Sequence, residues 1–185
     1  MKKILTQLED EYLKDLETNE DHQIAWQHHT TLYNDMFDKG DPGRRDLQLP
    51  SIFRRLHQLI SDKIIPNDFT ILDVFCGDGQ YLQSIKQEFP SCNVYGVDVI
   101  KTEWKAYKTV TEAGVKIFRI PVQKLINTHM EEKIDVVMMM NSYRAFKEGR
   151  KDLESNSFSI PISIEKIDEW LNSNTKYFIW EDTVI

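Results

Sequence analysis

The chain has 185 residues, of which 41% are hydrophobic and 29% are charged, and its formal net charge is −7. That length suits one domain with a full-sized core. The acidic balance argues against a nucleic-acid partner, which requires a positively charged face, and we interpret the nearby arginines as a solvated helix face and loop (Arg44, Arg45, Arg54 and Arg55). Because no apolar run could span a bilayer and residues 1–11 lack a hydrophobic leader, we expect a cytoplasmic protein without a membrane partner.

Helical periodicity dominates the first third of the chain. Residues 1–18 place apolar side chains along one side of a charged helix, and residues 23–37 repeat the pattern with more aromatic side chains. The Gly/Pro cluster at residues 40–43 predicts a turn. Ser51 then predicts the N-cap of a further helix that extends to about Lys63.

From residue 70 onwards, short apolar strands alternate with helices. The sequence predicts strands at residues 70–75, 93–99, 115–120, 134–140 and 177–180, with helices near 80–89, 102–113, 122–129 and 163–171. This alternation is typical of an α/β protein whose mainly parallel sheet is covered by helices on both faces.

The first strand leads into a glycine-containing turn and then a helix. Residues 70–80 read Thr-Ile-Leu-Asp-Val-Phe-Cys-Gly-Asp-Gly-Gln. A strand that passes through glycines into a helix directs backbone N–H groups at one small ligand. A dinucleotide site would need a third glycine where this chain has Leu82, and it would place Asp73 beside a pyrophosphate, which is electrostatically unfavourable. Asp73 instead favours a ligand with a cationic end.

This turn resembles the first motif of class I S-adenosylmethionine-dependent methyltransferases, Asp-x-Gly-x-Gly-x-Gly. The matching residues are Asp73, Gly77, Asp78 and Gly79, and Cys76 stands where the family often has a small cysteine. Phe75 replaces the first glycine, which narrows the space where the backbone approaches the methionine part of the cofactor.

A second acidic residue follows at the end of the next strand. Asp98 comes about 20 residues after the turn, the offset at which a carboxylate can accept hydrogen bonds from both ribose hydroxyls. Taken alone, Asp98 could equally be the N-cap of the next helix. The segment resembles the second methyltransferase motif, which implies that Asp98 contacts the ribose and Val99 packs on the adenine.

The resemblance implies a three-layer Rossmann-like fold with strand order 3-2-1-4-5, an N-terminal helical extension and S-adenosylmethionine as the cofactor. Pro121 stands where the family often has an acidic adenine contact, so adenine recognition would rest on backbone groups and on Val122 or Gln123. Asn141 follows the fourth strand, where the family lines cofactor and acceptor. The cofactor-binding residues we predict are Asp73, Phe75, Cys76, Gly77, Asp78, Gly79, Asp98, Val99, Val122, Gln123 and Asn141.

The resemblance also sets our expectations for domains and chemistry. We expect residues 1–66 to form a helical extension or lid and residues 67–185 to form the methyltransferase-like domain, together one compact domain. Because the acceptor motifs of nucleic-acid methyltransferases are absent, we expect methyl transfer to a small molecule. Candidate acceptor-side groups are His28, His29, Tyr33, Tyr143 and Arg144, each of which could equally be a solvent-facing or core residue. No cysteine or histidine spacing indicates a metal.

Two functional alternatives stay open at this point. A methyltransferase-like domain that binds without catalysis would also fit the turn, and Phe75 and Pro121 favour it somewhat. A nucleotide-linked dehydrogenase is disfavoured by Asp73 and Leu82.

The fifth strand raises a question of partners. The family's sheet normally continues with a hairpin of strands 6 and 7, whereas this sequence ends at Ile185. We therefore expect residues 176–180 to be an open apolar edge, closed by a second copy in a homodimer. Folding back of residues 1–38 over that edge, or a longer parent protein, are the alternatives.

Overall fold

The computed structural model describes residues 1–18, 42–98, 105–140 and 163–180. Its helices are α1 (Lys2–Thr18), α2 (Pro42–Ser61), α3 (Gln80–Glu88), α4 (Lys105–Glu112), α5 (Val122–Ile126) and α6 (Ile164–Asn174). Its strands are β1 (Thr70–Val74), β2 (Asn93–Asp98), β3 (Lys116–Arg119), β4 (Ile134–Met139) and β5 (Thr175–Trp180).

The strands form one five-stranded sheet in the order β3-β2-β1-β4-β5, and every neighbouring pair is parallel. The register places Asp73 on β1 between Gly96 on β2 and Met138 on β4. The central strands are nearly continuous apolar runs because helices cover both faces of the sheet. The predicted Rossmann-like fold and strand order are therefore confirmed.

Two hydrophobic cores lie on opposite faces of the sheet. The first core joins α2, α3 and α4 to the sheet through residues such as Leu56, Leu82, Val110, Val94 and Met138. The second core joins α1, α5 and α6 to the other face through residues such as Leu5, Leu125, Trp170, Val97 and Val137. The carboxyl ends of all five strands meet at one edge between these layers, where α/β proteins bind ligands.

The start of α2 corrects the prediction. The helix begins at Pro42 rather than at Ser51, and it continues through Pro50. A proline at the first helical position suits the helix because its fixed φ is helical and its missing N–H would have no intrahelical partner. Pro42 thus starts a helix where the sequence predicted only a turn. Ser163 is the N-cap of α6, since its side chain accepts a hydrogen bond from the Lys166 N–H at 3.3 Å.

Helix α1 is part of the packed structure. Leu5 and Tyr12 are buried, and the carboxylate of Glu9 accepts a hydrogen bond from the backbone N–H of Arg119 on β3 at 2.8 Å. This contact is at the sheet edge opposite β5. The predicted helix at 23–37 and the rest of the fold-back segment lie outside the described residues, and the boundary at residue 66 stays a prediction.

Within the described ranges, no helix is both long enough and apolar enough to cross a membrane.

Candidate functional site

The glycine turn bends the chain across the carboxyl end of β1 towards β2. The N–H groups of Phe75 and Cys76 both donate to the carbonyl oxygen of Val97, at 2.9 and 3.3 Å. The backbone then has positive φ at every second residue, +64° at Phe75, +57° at Gly77 and +74° at Gly79. These are the three positions at which the methyltransferase motif has glycine, and glycine adopts this conformation without steric cost. Phe75 adopts it at a cost of roughly 1–2 kcal/mol.

Gly79 is required for packing as well as for conformation. It forms the N-cap of α3, and a Cβ there would lie 2.7 Å from Cδ1 of Ile117 and 3.0 Å from Cγ1 of Val110. The missing side chain therefore lets the start of α3 approach β3 and α4 closely.

The missing side chain of Gly96, on β2, leaves space for residues of the turn and of α3. A Cβ at Gly96 would lie 2.6 Å from Sγ of Cys76 and 2.9 Å from Cδ1 of Leu82. Gly96 is not among the predicted site residues, although a glycine inside a strand is a signal of close approach. Cys76 and Leu82 both depend on this gap.

Three carboxylates gather around the turn. Asp73 is only 1% exposed and Asp98 only 6%. One carboxylate oxygen of Asp98, Oδ2, accepts a hydrogen bond from the Gly77 N–H at 2.9 Å, and Oδ1 of Asp78 accepts one from the Gln80 N–H at 3.1 Å. The Oδ1 atom of Asp73 is buried and has no hydrogen-bond partner within the described part of the chain.

Burial and mutual repulsion change the proton affinity of this cluster. Burial, followed by the charges of Asp98 and Asp78, raises the pKa of Asp73 well above its usual range. Burial is also the main reason why the pKa of the Cys76 thiol lies well above its usual range, with Asp98, Asp73 and Asp78 adding to it. Cys76 is therefore a neutral thiol at physiological pH and is unsuited to act as a nucleophile.

A small cleft lies on the side of the sheet that β4 and β5 form. It lies between α2 and the carboxyl ends of these strands and is lined by Gln48, Ser51, Ile52, Arg55, Met140, Ile179 and Trp180. Tyr81 lies in the first turn of α3, and its hydroxyl donates a hydrogen bond to Oε1 of Gln48 in α2. This hydrogen bond joins the wall of the cleft to the helix that begins at the turn. Gln48 and Tyr81 are not among the predicted site residues, because their contact depends on the packing of α2 against α3.

The structure brings together most of the predicted cofactor residues that it describes. Residues 75–79 lie in one turn, and Asp73 and Asp98 lie at the ends of the adjacent strands β1 and β2. Val122 and Gln123 begin α5 just after β3 and are 4% and 8% exposed. The remaining predicted site residues lie outside the described ranges: Val99, Asn141, His28, His29, Tyr33, Tyr143 and Arg144.

A comparison with protein families agrees with this geometry. The profile of the FtsJ-like methyltransferase family matches residues 53–155, which is more than half of the chain. The chain belongs to the FtsJ-like methyltransferase family. S-adenosylmethionine is accordingly the cofactor of the reaction that this family implies. No curated protein sequence matches the chain.

Solved structures share the fold at low sequence identity. The plantazolicin methyltransferase BpumL, crystallised with a pentazolic desmethylPZN analogue and SAH, is 14% identical over 98% of this chain and 62% of its own, with a TM-score of 0.52. WbdD, crystallised with a kinase inhibitor, is 13% identical over 75% of this chain and 30% of its own, also with a TM-score of 0.52. PKMT2 from Rickettsia typhi, solved with AdoHcy, is 23% identical over 60% of this chain, with a TM-score of 0.43. The chain spans about a fifth of PKMT2 and less than two thirds of BpumL.

The residues at the turn fit this cofactor. S-adenosylmethionine carries a vicinal diol on its ribose and positive charges at its sulfonium and its amino group. Asp98 offers a buried carboxylate of the kind that accepts two hydrogen bonds from a diol. Asp73 offers a buried carboxylate oxygen that lacks a partner within the described residues, next to two further acidic groups. A cationic ligand is the complement of this arrangement.

Proposed function

We propose that this chain binds S-adenosylmethionine across the carboxyl ends of β1 and β2 and directs its methyl group to a small-molecule acceptor in the cleft above β4 and β5. One observation carries the proposal. Two buried carboxylates, Asp73 and Asp98, end adjacent strands on either side of a turn whose backbone has positive φ at residues 75, 77 and 79.

Asp98 is the proposed ribose ligand. The hydrogen bond from the Gly77 N–H holds its carboxylate at the end of β2. A carboxylate can accept several hydrogen bonds at once, so the ribose hydroxyls can donate to the same group that the Gly77 N–H contacts. Because Gly77 is itself in the turn, the ribose contact and the shape of the turn are coupled.

Asp73 is the proposed electrostatic partner of the methionine end. A carboxylate buried beside Asp78 and Asp98 is unfavourable when no cation compensates it. A positively charged ligand at this end of β1 would reduce that penalty. Because the raised pKa of Asp73 favours its neutral form in the ligand-free protein, binding of the cation would favour loss of the Asp73 proton.

The chain's contribution to methyl transfer is alignment. The sulfonium supplies the methyl group, which moves by in-line displacement, and the protein must hold the acceptor on the far side of that methyl. The cleft lies at the ends of β4 and β5, and β4 is the neighbour of β1 in the sheet. Its lining combines apolar side chains with the polar groups of Gln48, Ser51 and Arg55. The net negative charge of the chain supports a small-molecule acceptor over a nucleic acid.

The dehydrogenase alternative meets a packing obstacle. Its fingerprint requires a third glycine at position 82, so that the helix can approach the strand. Leu82 is fully buried there, and its side chain occupies the space opposite Gly96. A domain that binds the cofactor without catalysing methyl transfer would have the same site. Only a measurement of methyltransferase activity distinguishes such a domain from an enzyme.

Calorimetry with S-adenosylmethionine and S-adenosylhomocysteine tests the proposal. Loss of a charged acceptor of two hydrogen bonds costs about 1.5–3 kcal/mol, so Asp98→Ala should weaken both ligands by about tenfold or more. Asp68→Ala, which changes an exposed carboxylate outside the turn, should leave both affinities unchanged. Wild-type protein that gives no heat with either ligand would refute the proposed function.

A further inference from the structure

Phe75 is the one residue other than glycine among the three positions of the turn that have positive φ. At φ = +64° it occupies a conformation that glycine adopts freely, and the resembled motif has glycine at this position. Strained residues of this kind persist where the surroundings fix them, and they concentrate at ligand sites. The Phe75 N–H is fixed by the carbonyl of Val97 at 2.9 Å, but that hydrogen bond needs no aromatic side chain. That hydrogen bond therefore does not explain why the side chain is aromatic.

The position of the ring suggests what it does. Phe75 is half-buried and packs against the second core, and it comes directly after the last residue of β1. It follows Asp73 by two residues and precedes Gly77 by two. Between residues 70 and 80 it is the only aromatic residue, and no Lys or Arg is present. The turn thus combines buried carboxylates with one partly exposed aromatic ring.

Carboxylates beside an aromatic face form a recognition set for organic cations. The face of a phenyl ring attracts ligand cations, quaternary ammonium groups in particular, through its quadrupole. A sulfonium is a cation of the same kind, whereas the thioether left after methyl transfer is neutral. We propose that the Phe75 ring is a specificity-determining contact for the sulfonium, through which the site prefers S-adenosylmethionine to S-adenosylhomocysteine. This inference rests on the proposed function.

The test measures dissociation constants of three ligands by calorimetry. S-adenosylmethionine carries the sulfonium, S-adenosylhomocysteine lacks it, and adenosine lacks the whole methionine part. Phe75→Leu removes the ring and keeps an apolar side chain, and it should raise the dissociation constant of S-adenosylmethionine by about 3- to 30-fold. The constants for S-adenosylhomocysteine and adenosine should change less than twofold. Phe75→Tyr keeps the aromatic face and should retain the wild-type preference.

Two controls keep the result interpretable. Phe178→Leu removes another half-buried ring from the second core, on β5, and should change none of the three constants. If Phe75→Leu does not fold, Phe75→Gly takes its place, because glycine adopts the same φ without strain and also lacks the ring.

The outcomes separate this inference from the proposed function. An equal loss of affinity for all three ligands in Phe75→Leu would mean that the ring contacts the adenosine part, and it would overturn the inference. Unchanged affinities for all three ligands would overturn it too. Either result leaves the binding of S-adenosylmethionine by the wild-type protein intact. Wild-type protein that binds neither S-adenosylmethionine nor S-adenosylhomocysteine would overturn both.

Discussion

The buried carboxyl group of Asp73 should make the ligand-free protein less stable as the pH rises. Its pKa is raised in the folded state by burial and by the charges of Asp98 and Asp78, whereas the pKa of an aspartate in the unfolded chain is about 3.9. Between these two pKa values the folded state holds one proton more than the unfolded state. The free energy of unfolding therefore falls by about 1.4 kcal/mol for each pH unit in that window, and Asp73 contributes no slope below it.

Asp73→Asn isolates this contribution. The amide has nearly the same shape and does not titrate, so the variant should lack this part of the slope. We expect the difference in unfolding free energy, variant minus wild type, to grow by about 1.4 kcal/mol per pH unit above about pH 4 and to level off at the raised pKa of Asp73.

Urea denaturation at a series of pH values between about 4.5 and 7.5 measures that difference directly, since this range lies above the unfolded-state pKa. Asp68→Asn, at an exposed carboxylate, serves as the matched control and should follow the wild type at every pH. A constant offset between Asp73→Asn and wild type across the series would refute the reasoning, because it would mean that the folded state does not raise the pKa of Asp73 into this range.

Three further outcomes follow from the same structure. Binding of S-adenosylmethionine to the wild-type protein should release a proton from the Asp73 site, so affinity should rise with pH over the window above, and calorimetric heats should depend on buffer ionisation enthalpy in wild type but not in Asp73→Asn. Gly79→Ala should destabilise the protein by at least about 1 kcal/mol more than Gly114→Ala in urea, because both have positive φ but only Gly79 has an atom, Cδ1 of Ile117, 2.7 Å from the new Cβ. If the edge at residues 176–180 pairs with a second copy, light scattering at micromolar concentration should give twice the mass of the chain, and a strict monomer would contradict the predicted homodimer.

The elements that the sequence predicts well are those that depend on local pattern. Buried parallel strands are short apolar runs, and the turn after Val74 is marked by its glycines, so both are recognisable from the residues alone. The start of α2 is not, because the same residue, Pro42, is compatible with a turn and with the first position of a helix. Only the packing of the whole helix on the sheet decides between these two.

Contacts between distant segments could not be predicted from pattern. The hydrogen bond from the Arg119 N–H to Glu9 fixes α1 on β3, yet Glu9 is one of many acidic residues in a charged helix. The hydrogen bond between Tyr81 and Gln48 is equally hard to predict, since nothing in the sequence around either residue marks it as a contact. Such contacts depend on tertiary distances that carry no periodic signal.

The positions of the glycines around the turn explain why this Rossmann-like fold disfavours a dinucleotide cofactor. A dinucleotide site has its third glycine in the first turn of the helix, so that helix and strand come close enough to hold a pyrophosphate. Here the small residue is in the strand, at Gly96, and the space it leaves is filled by Leu82 and by Cys76. The helix therefore packs through side chains, while Asp73 stays buried at the end of β1, where a phosphate would be repelled. Steric fit and charge select against the pyrophosphate together, and both favour the cationic cofactor of a methyltransferase.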